Sequence, residues 1–386
     1  MSEVEGPVLT RPAKYNIEDS NIALLGSDLE KNVREHAGDK DPAWEGAGQA
    51  VGTQIWRVEK FTIVEWPKER YGSFYDGDSY IVLHTYKKSP DSEELSYDLH
   101  FWIGAESSQD EAGTAAYKTV ELDDHLLEKP VQYREIQGYE SPKFLSYFPR
   151  FVCLRGGIAT GFHHVSAPPP DSTRRLYRVT AAGARLLVRE VAAEAASLVP
   201  GDAYVLDMGS KVWQLNTKGS VGKERFKAAE FVQSLVSERS NTSGGIAEVT
   251  VFDEGGHGAG IFLSEIGLEG MPAGGDEATE HKPPTLFKLS DASGKVTFEN
   301  VEPAAQSSLS SSDAFLLDDT SHPTAPAIYV WIGSGASLTE RRLAVQYGQA
   351  YLHNNQSGGR KHFALSIVKM KEGHEPEAFF QAFGGQ

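Results

Sequence analysis

The sequence holds one cysteine, Cys153, in 386 residues, so no internal disulfide supports the fold. Positive charge is scarce: 37 Lys and Arg stand against 54 Asp and Glu, a formal net charge of −17. Binding to nucleic acid needs clustered Lys and Arg to neutralise phosphate, and attraction to an anionic membrane needs the same, so both are disfavoured. No uncharged apolar run approaches the ~20 residues of a membrane span. The start, Met1-Ser2-Glu3-Val4-Glu5, has neither the basic nor the apolar part of a secretory signal. A cytoplasmic protein is therefore expected. Catalytic signatures are missing too. Gly77-Asp78-Ser79 lacks the second glycine of a nucleophile elbow, and Gly255-Gly256-His257-Gly258-Ala259-Gly260 has the wrong spacing for a dinucleotide fingerprint. The 12 histidines form no zinc motif. Cys153, between Val152 and Leu154, reads as a small core residue rather than a nucleophile. No enzyme is expected.

What the sequence does have is a pattern written three times. Gln54-Ile55-Trp56-Arg57-Val58, Arg175-Leu176-Tyr177-Arg178-Val179 and Thr285-Leu286-Phe287-Lys288-Leu289 share apolar, aromatic, basic and apolar positions. About twenty residues later each copy carries a small residue, an aspartate and a β run: Gly77-Asp78, Gly201-Asp202 and Ser312-Asp313. A second strand follows, then a helix with an early glutamate: Glu111, Glu224 or Glu340. The aspartates lie 124 and 111 residues apart, too far for a solenoid repeat, so each copy is expected to be a separate domain. Helical spacing puts Ala112, Ala115, Ala116 and Thr119 on one face of the first helix, and Ala228, Phe231, Val232 and Leu235 on one face of the second. In the third it selects Leu343, Tyr347, Ala350 and Tyr351. Continuous apolar runs such as Tyr80 to Leu83 and Ala327 to Ile332 suggest central strands covered on both faces. The expected class is α+β, a mixed sheet between a long and a short helix in each copy. The expected divisions are an extension (1–45), a first domain (46–163), a Pro-rich linker (164–173), a second domain (174–270), a linker (271–284) and a third domain (285–386). Within the extension, Asn16 to Glu35 is expected to be partly ordered.

Calcium is the chemistry best matched to these residues. Asp291 to Glu302 has the length of an EF-hand loop, but Val296 stands at the obligatory glycine and Lys295 at a ligand position, so the match is a decoy. The repeated Asp and Glu are different. A hard cation wants about six to eight oxygens, which one Asp, one bidentate Glu, backbone carbonyls and water supply. A turn-ending Asp and a Glu that complements its helix dipole account for a single copy as well. Recurrence in three copies favours metal without deciding it. The first helix also carries Tyr117 and Val120 away from its alanine stripe and ends in Glu121-Leu122-Asp123-Asp124. An exposed apolar stripe with an acidic end suits insertion into a partner's groove, the alternative being burial under the N-terminal extension.

Several stretches resemble the gelsolin family: His100-Phe101-Trp102-Ile103-Gly104, Ser107-Ser108-Gln109-Asp110-Glu111, Val120-Glu121-Leu122-Asp123-Asp124, Arg134-Glu135-Ile136-Gln137-Gly138-Tyr139-Glu140-Ser141 and Gly156-Gly157-Ile158-Ala159-Thr160-Gly161-Phe162. The resemblance covers nearly the whole chain and implies three tandem gelsolin-like domains. It implies a Ca²⁺-regulated actin-binding protein that severs filaments, caps barbed ends and can nucleate assembly. The alternative is a calcium-dependent barbed-end capper that does not sever. It places one calcium at the Gly77 carbonyl, Asp78, Glu111 and the Ile158 carbonyl. A second, shared with an actin carboxylate, falls at Asp123 with the Glu128 and Pro130 carbonyls, where relatives have Gly and Ala at the last two positions. The second domain's site maps to Gly201, Asp202, Glu224 and either Asp276 or Glu277, and the third's to Ser312, Asp313 and Glu340. Actin contacts map to Tyr117, Val120 and Asp123 on the first-domain helix and to Lys223, Arg225 and Lys227 in the second domain, where the basics equally suit a solvated face. Relatives carry a Lys-rich phosphoinositide segment where this chain has only Arg150 and Arg155, with Arg174, Arg175 and Arg178 nearby, so at most weak phosphoinositide binding is implied. A monomer is expected.

Overall fold

The computed structural model describes residues 41–59, 62–157, 174–182, 185–194, 197–243, 247–256, 258–268, 270–271, 282–322, 325–354 and 365–384. The linker prolines 168–170, the segment Asn16 to Glu35, and Ile158, Asp276 and Glu277 lie outside the described residues.

The first unit runs through β1 (Gly52–Glu59), β2 (Thr62–Glu65), β3 (Ser73–Tyr75), β4 (Ser79–Tyr86), β5 (Ser96–Ile103), α1 (Gln109–His125), β6 (Val131–Ile136), α2 (Pro142–Ser146) and β7 (Arg150–Leu154). The second has β8 (Arg175–Ala182), β9 (Arg185–Val191), β10 (Ala203–Asp207), β11 (Lys211–Asn216), α3 (Gly222–Ser243), β12 (Glu248–Asp253) and α4 (Ala259–Glu265). The third has β13 (Thr285–Ser290), β14 (Thr297–Val301), β15 (Ala314–Asp319), β16 (Ala327–Ile332), α5 (Leu338–Asn354), β17 (Ser366–Lys371) and α6 (Glu377–Ala382). The class is α+β. In each unit the aspartate-bearing turn leads into a central strand, β4, β10 or β15, which pairs antiparallel with the next strand.

Two faces are covered in every unit, as the continuous apolar strands demand. In the first, Ala112, Ala115, Ala116, Leu122 and Leu126 of α1 pack on Ile81, Leu83, Leu99 and Phe101. The opposite face carries Phe74, Tyr80, Trp102 and Phe151 against Phe144 and Leu145 of α2. Small α1 residues let the helix sit close to the sheet, while the opposite layer is built from large aromatics, at roughly 1.5–3 kcal/mol for each fully buried large side chain. Cys153 is part of this second layer, 1% exposed, and burial pushes its thiol pKa up. In the third unit the buried line on α5 is Ala344 and Leu352, with Gly348 against Val330, Leu316 and Ile328. Ala350 is exposed, so the face proposed from spacing is turned: Leu343, Tyr347 and Tyr351 flank the contact.

The sheets run across the units. One has ten strands in the order β14-β13-β15-β16-β17-β6-β5-β4-β1-β2. The first and third units meet in it through antiparallel β6 and β17, with Arg134 opposite Ile367, Tyr133 opposite Val368 and Gln132 opposite Lys369. Val131 and Tyr133 share an apolar cluster with Val368, Met370 and Phe379. The other sheet has seven strands, β12-β11-β10-β8-β9-β7-β3, so two first-unit strands extend the second unit's sheet through parallel β7 and β9. Edges that would otherwise invite other strands are closed on one another.

Candidate cation sites and the helix beside them

Two of the three sites begin with a backbone requirement. The Gly104 amide donates to the Asp78 carbonyl at 3.1 Å, and Gly333 does the same to Asp313 at 3.0 Å. A Cβ on either glycine would come within 2.8 or 2.7 Å of that carbonyl, and nearer still to Asp76 or Ser311. This explains the glycine that closes the Trp-Ile-Gly motif in both units.

In the first unit Asp78 is fully buried and Glu111 is 2% exposed. Glu111 occupies the third position of α1 in a capping box: its amide donates to Ser108 Oγ at 3.2 Å, and its Oε2 accepts from the Ser108 amide at 3.3 Å. The helix-complement reading is therefore correct for that oxygen. Oε1 is buried with no hydrogen-bond partner. Burial, offset in part by the Ser108 and Ser107 hydrogen bonds and reinforced by repulsion from Asp78, raises the Glu111 pKa to about 7. Asp78 accepts from Tyr80 Oη at 3.1 Å and lies 3.6 Å from Arg57 Nη1. Gly157 adopts φ +150°, and a Cβ there would stand 2.5 Å from Asp78 Oδ1. Gly77, whose amide donates to Gly156 at 2.7 Å, completes the turn.

The second unit repeats the plan with a firmer clamp. Asp202 is 9% exposed and accepts from Arg178 Nε at 2.5 Å. Burial raises its pKa, Arg178 lowers it, and Glu224 raises it again, so the two carboxylates are within electrostatic reach. Glu224 caps α3 through the Val221 amide at 3.1 Å. Gly201 bends the chain at φ +98°, its amide bonded to Thr217 Oγ1 at 2.9 Å.

The third unit is the most satisfied. Burial alone would raise Asp313, but hydrogen bonds from Ser290, Lys288 and Ser312 bring its pKa below the ordinary value. Lys288 Nζ lies at 2.9 Å and Ser312 Oγ at 2.8 Å. Both Glu340 oxygens accept backbone amides, from Asp291 at 2.9 Å and Ser337 at 2.8 Å. The EF-hand decoy thus has a structural role, since Asp291 also accepts from Ser337 Oγ at 2.7 Å.

Among the described residues no three Asp, Glu, His or Cys side chains converge as a metal cage. A site of two carboxylates completed by carbonyls and water does not need one. The first unit fits a hard cation best, because a buried carboxylate oxygen without a partner is costly and a divalent ion would supply the missing partner and relieve the Asp78–Glu111 repulsion.

The shared site proposed at the end of α1 sits on the seam between units. Asp123 is 6% exposed; its Oδ2 accepts from Gln132 Nε2 at 2.6 Å and its Oδ1 is buried without a hydrogen bond. Burial raises its pKa, while Lys369 and Lys371 of β17 act in the opposite direction. Lys371 also ion-pairs with Glu128. The chain leaves α1 through Leu127 at φ +62° and Glu128 at φ +57°, the left-handed region that ordinary residues seldom occupy, and the Glu128 amide returns to the Asp123 carbonyl at 2.8 Å. Pro130 follows, buried beside β6.

The apolar stripe on α1 is not exposed. Val120 is 7% exposed and Tyr117 half-buried. The turn Pro42–Trp44 covers the neighbouring side: Trp44 Nε1 donates to Glu121 at 2.6 Å, and Lys118 is held by Asp41 at 2.8 Å. In the second unit Lys227 pairs with Glu230 at 2.6 Å, Arg225 donates to Ser220 Oγ at 3.0 Å, and Lys223 is exposed. Phe226, between Arg225 and Lys227, is 63% exposed, and Val221, just before α3, is 56% exposed; both were missed in the sequence although an aromatic inside Lys-Glu-Arg-Phe-Lys is itself the signal. The arginines weighed for phosphoinositide are largely engaged: Arg150 lies over Phe231, Arg174 pairs with Glu265, and Arg178 holds Asp202.

The family model for the gelsolin repeat matches residues 60–145 and 298–380. Gelsolin-like protein 1 of Lumbricus terrestris is 42% identical over 379 residues, 96% of this chain and 97% of that protein. Severin of Echinococcus granulosus is 36% identical over 89% of this chain and 92% of its own length. Gelsolin of Gallus gallus is 38% identical over 94% of this chain, which spans 45% of that longer protein.

Proposed function

The chain belongs to the gelsolin family of actin-binding, filament-severing and capping proteins, and from that premise we propose that it severs actin filaments and caps their barbed ends under calcium control. Members of the family are not enzymes. The observation that carries the calcium part is Glu111 Oε1, a buried carboxylate oxygen with no hydrogen bond beside the buried Asp78. Calcium there would be held by Asp78, Glu111 and the Gly77 carbonyl, together with the Ile158 carbonyl that the family resemblance implies. It would supply positive charge where two carboxylates now repel.

Control follows from where α1 sits. The helix proposed to enter the actin cleft has Val120 buried, and its last turn is tied to β17 through Lys369 and Lys371. Filament binding through α1 therefore requires the β6–β17 seam to open. A cation shared between Asp123 and an actin carboxylate would replace the two lysines. On the second unit, Phe226 and Val221 offer apolar contact flanked by Lys223 and Arg225, a surface suited to the acidic side of a filament. Severing is then binding energy directed at an interface: side attachment localises the chain, and α1 competes with a contact between actin subunits. Nucleation follows where the same surfaces hold two actin monomers.

The test is severing of labelled filaments by the double variant Asp78→Ala, Glu111→Ala. Loss of calcium-dependent severing, with filament side binding kept, supports the assignment. Severing unchanged at every calcium concentration contradicts it.

A further inference from the structure

The basic position of the threefold pattern performs the same act in every unit. Arg57 on β1, Arg178 on β8 and Lys288 on β13 each lie opposite the residue two places beyond the site aspartate: Tyr80, Tyr204 and Phe315. That register puts the cation diagonally across from the aspartate, within reach of a long side chain. The contacts are 3.6 Å for Arg57 to Asp78, 2.5 Å for Arg178 to Asp202 and 2.9 Å for Lys288 to Asp313.

We propose that these three residues are tethered counter-cations, which neutralise the site aspartates when calcium is absent and must yield when it binds, so that they set calcium affinity unit by unit. The proposal rests on the calcium reading above. Its logic is electrostatic. A buried carboxylate is costly without a partner, and in the first two units a glutamate adds its repulsion to the aspartate's. A strand-borne cation lowers that cost without closing the site permanently. A divalent ion reaching the same carboxylate meets the fixed positive charge and competes for its oxygens.

Geometry ranks the three. Arg57 divides its guanidinium between Asp78 and Glu59 and lies 4.7 Å from the centre of the Trp66 ring, so its hold on the aspartate is the loosest. Arg178 grips Asp202 most closely, and its side chain is 34% exposed. The first unit is thus the least gated and the second the most. Half-exposed cations are screened by water, which limits the effect of removing Arg178 to on the order of tenfold in affinity.

Calcium isotherms of the full chain test this with Arg178→Gln, Arg178→Lys and Asp202→Asn. Asp202→Asn should remove one bound calcium. Arg178→Gln should keep the stoichiometry and tighten that site by roughly tenfold, while Arg178→Lys stays near the wild type. An Arg178→Gln affinity equal to or weaker than wild type overturns the counter-cation role. Unchanged stoichiometry in Asp202→Asn overturns the calcium reading of the second unit instead. If Arg178→Gln does not fold, Lys288→Gln read against Asp313→Asn carries the same comparison, with a tightened third site supporting the proposal and an unchanged one refuting it.

Discussion

Replacing Glu111 by glutamine separates a residue that merely caps α1 from one held in readiness for a cation. Glutamine keeps the shape and can still accept from the Ser108 amide, so the capping box survives. What disappears is a charge that is 2% exposed and faces Asp78. The carboxyl pKa stands at about 7 against an ordinary 4.5, and a shift of that size corresponds to a ceiling of about 3 kcal/mol of destabilisation in the ionised state. The sign follows from proton counting. Between pH 4.5 and about 7 the folded chain holds a proton that the unfolded chain has lost, so wild-type stability relative to Glu111→Gln falls as pH rises through that window. Below it both states are protonated and the difference vanishes; above it the difference is full and constant. Without divalent cations at pH 8, the first-unit melting transition of Glu111→Gln should therefore lie several degrees above wild type, on the order of 2–4 °C per kcal/mol. Calcium should stabilise the wild type and leave the variant's first unit unmoved. Calorimetry across pH, with chelator and with calcium, reads both. A variant less stable than wild type at pH 8 in chelator would mean that the ionised glutamate is a net stabiliser through its cap, and the argument from its unpaired oxygen would fail.

Other perturbations follow from the same contacts. Lys369→Ala with Lys371→Ala removes the cations facing Asp123 and Glu128; small-angle scattering without calcium should show larger dimensions, and unchanged dimensions would deny these lysines a role in closing the seam. Phe226→Ala should weaken filament co-sedimentation by roughly tenfold, about 1.4 kcal/mol, with no change in calcium stoichiometry, while equal binding would remove Phe226 from the interface. Gly157→Ala places a Cβ 2.5 Å from Asp78 Oδ1, so calorimetric calcium binding to the first unit should be lost or sharply weakened; normal binding would show that the turn can shift.

The sequence made the repeated parts visible and hid the shared ones. Asp78, Asp202 and Asp313 with their helix-start glutamates stood out because each is fixed by local chemistry, a turn before a buried strand and a capping position on a helix. The helix faces of α1 and α3 were legible for the same reason, their small and apolar residues recurring at helical spacing. Periodicity misplaced the α5 contact because Gly348 lets the helix come close along Ala344 and Leu352, a preference for small residues that an apolar count undervalues. The pairing of β6 with β17 and of β7 with β9 left no local trace. A strand's backbone hydrogen bonds to a distant partner through groups that every residue possesses, so edge choice is settled by tertiary context. The stripe with Val120, read as exposed or else covered by the N-terminal extension, is buried, with Asp41 and Trp44 holding Lys118 and Glu121 beside it. Arg57, Arg178 and Lys288 were visible as markers of the repeat, but their contact with the aspartates depends on strand register, which only the fold supplies.

Time-lapse imaging of single labelled actin filaments, with the chain added in chelator and then in calcium, tests the central claim most directly. The account predicts intact filaments in chelator, and in calcium breaks along filament shafts whose new barbed ends do not grow. Ends that stop growing while shafts remain unbroken would contradict severing, and equal breakage in chelator would contradict calcium control.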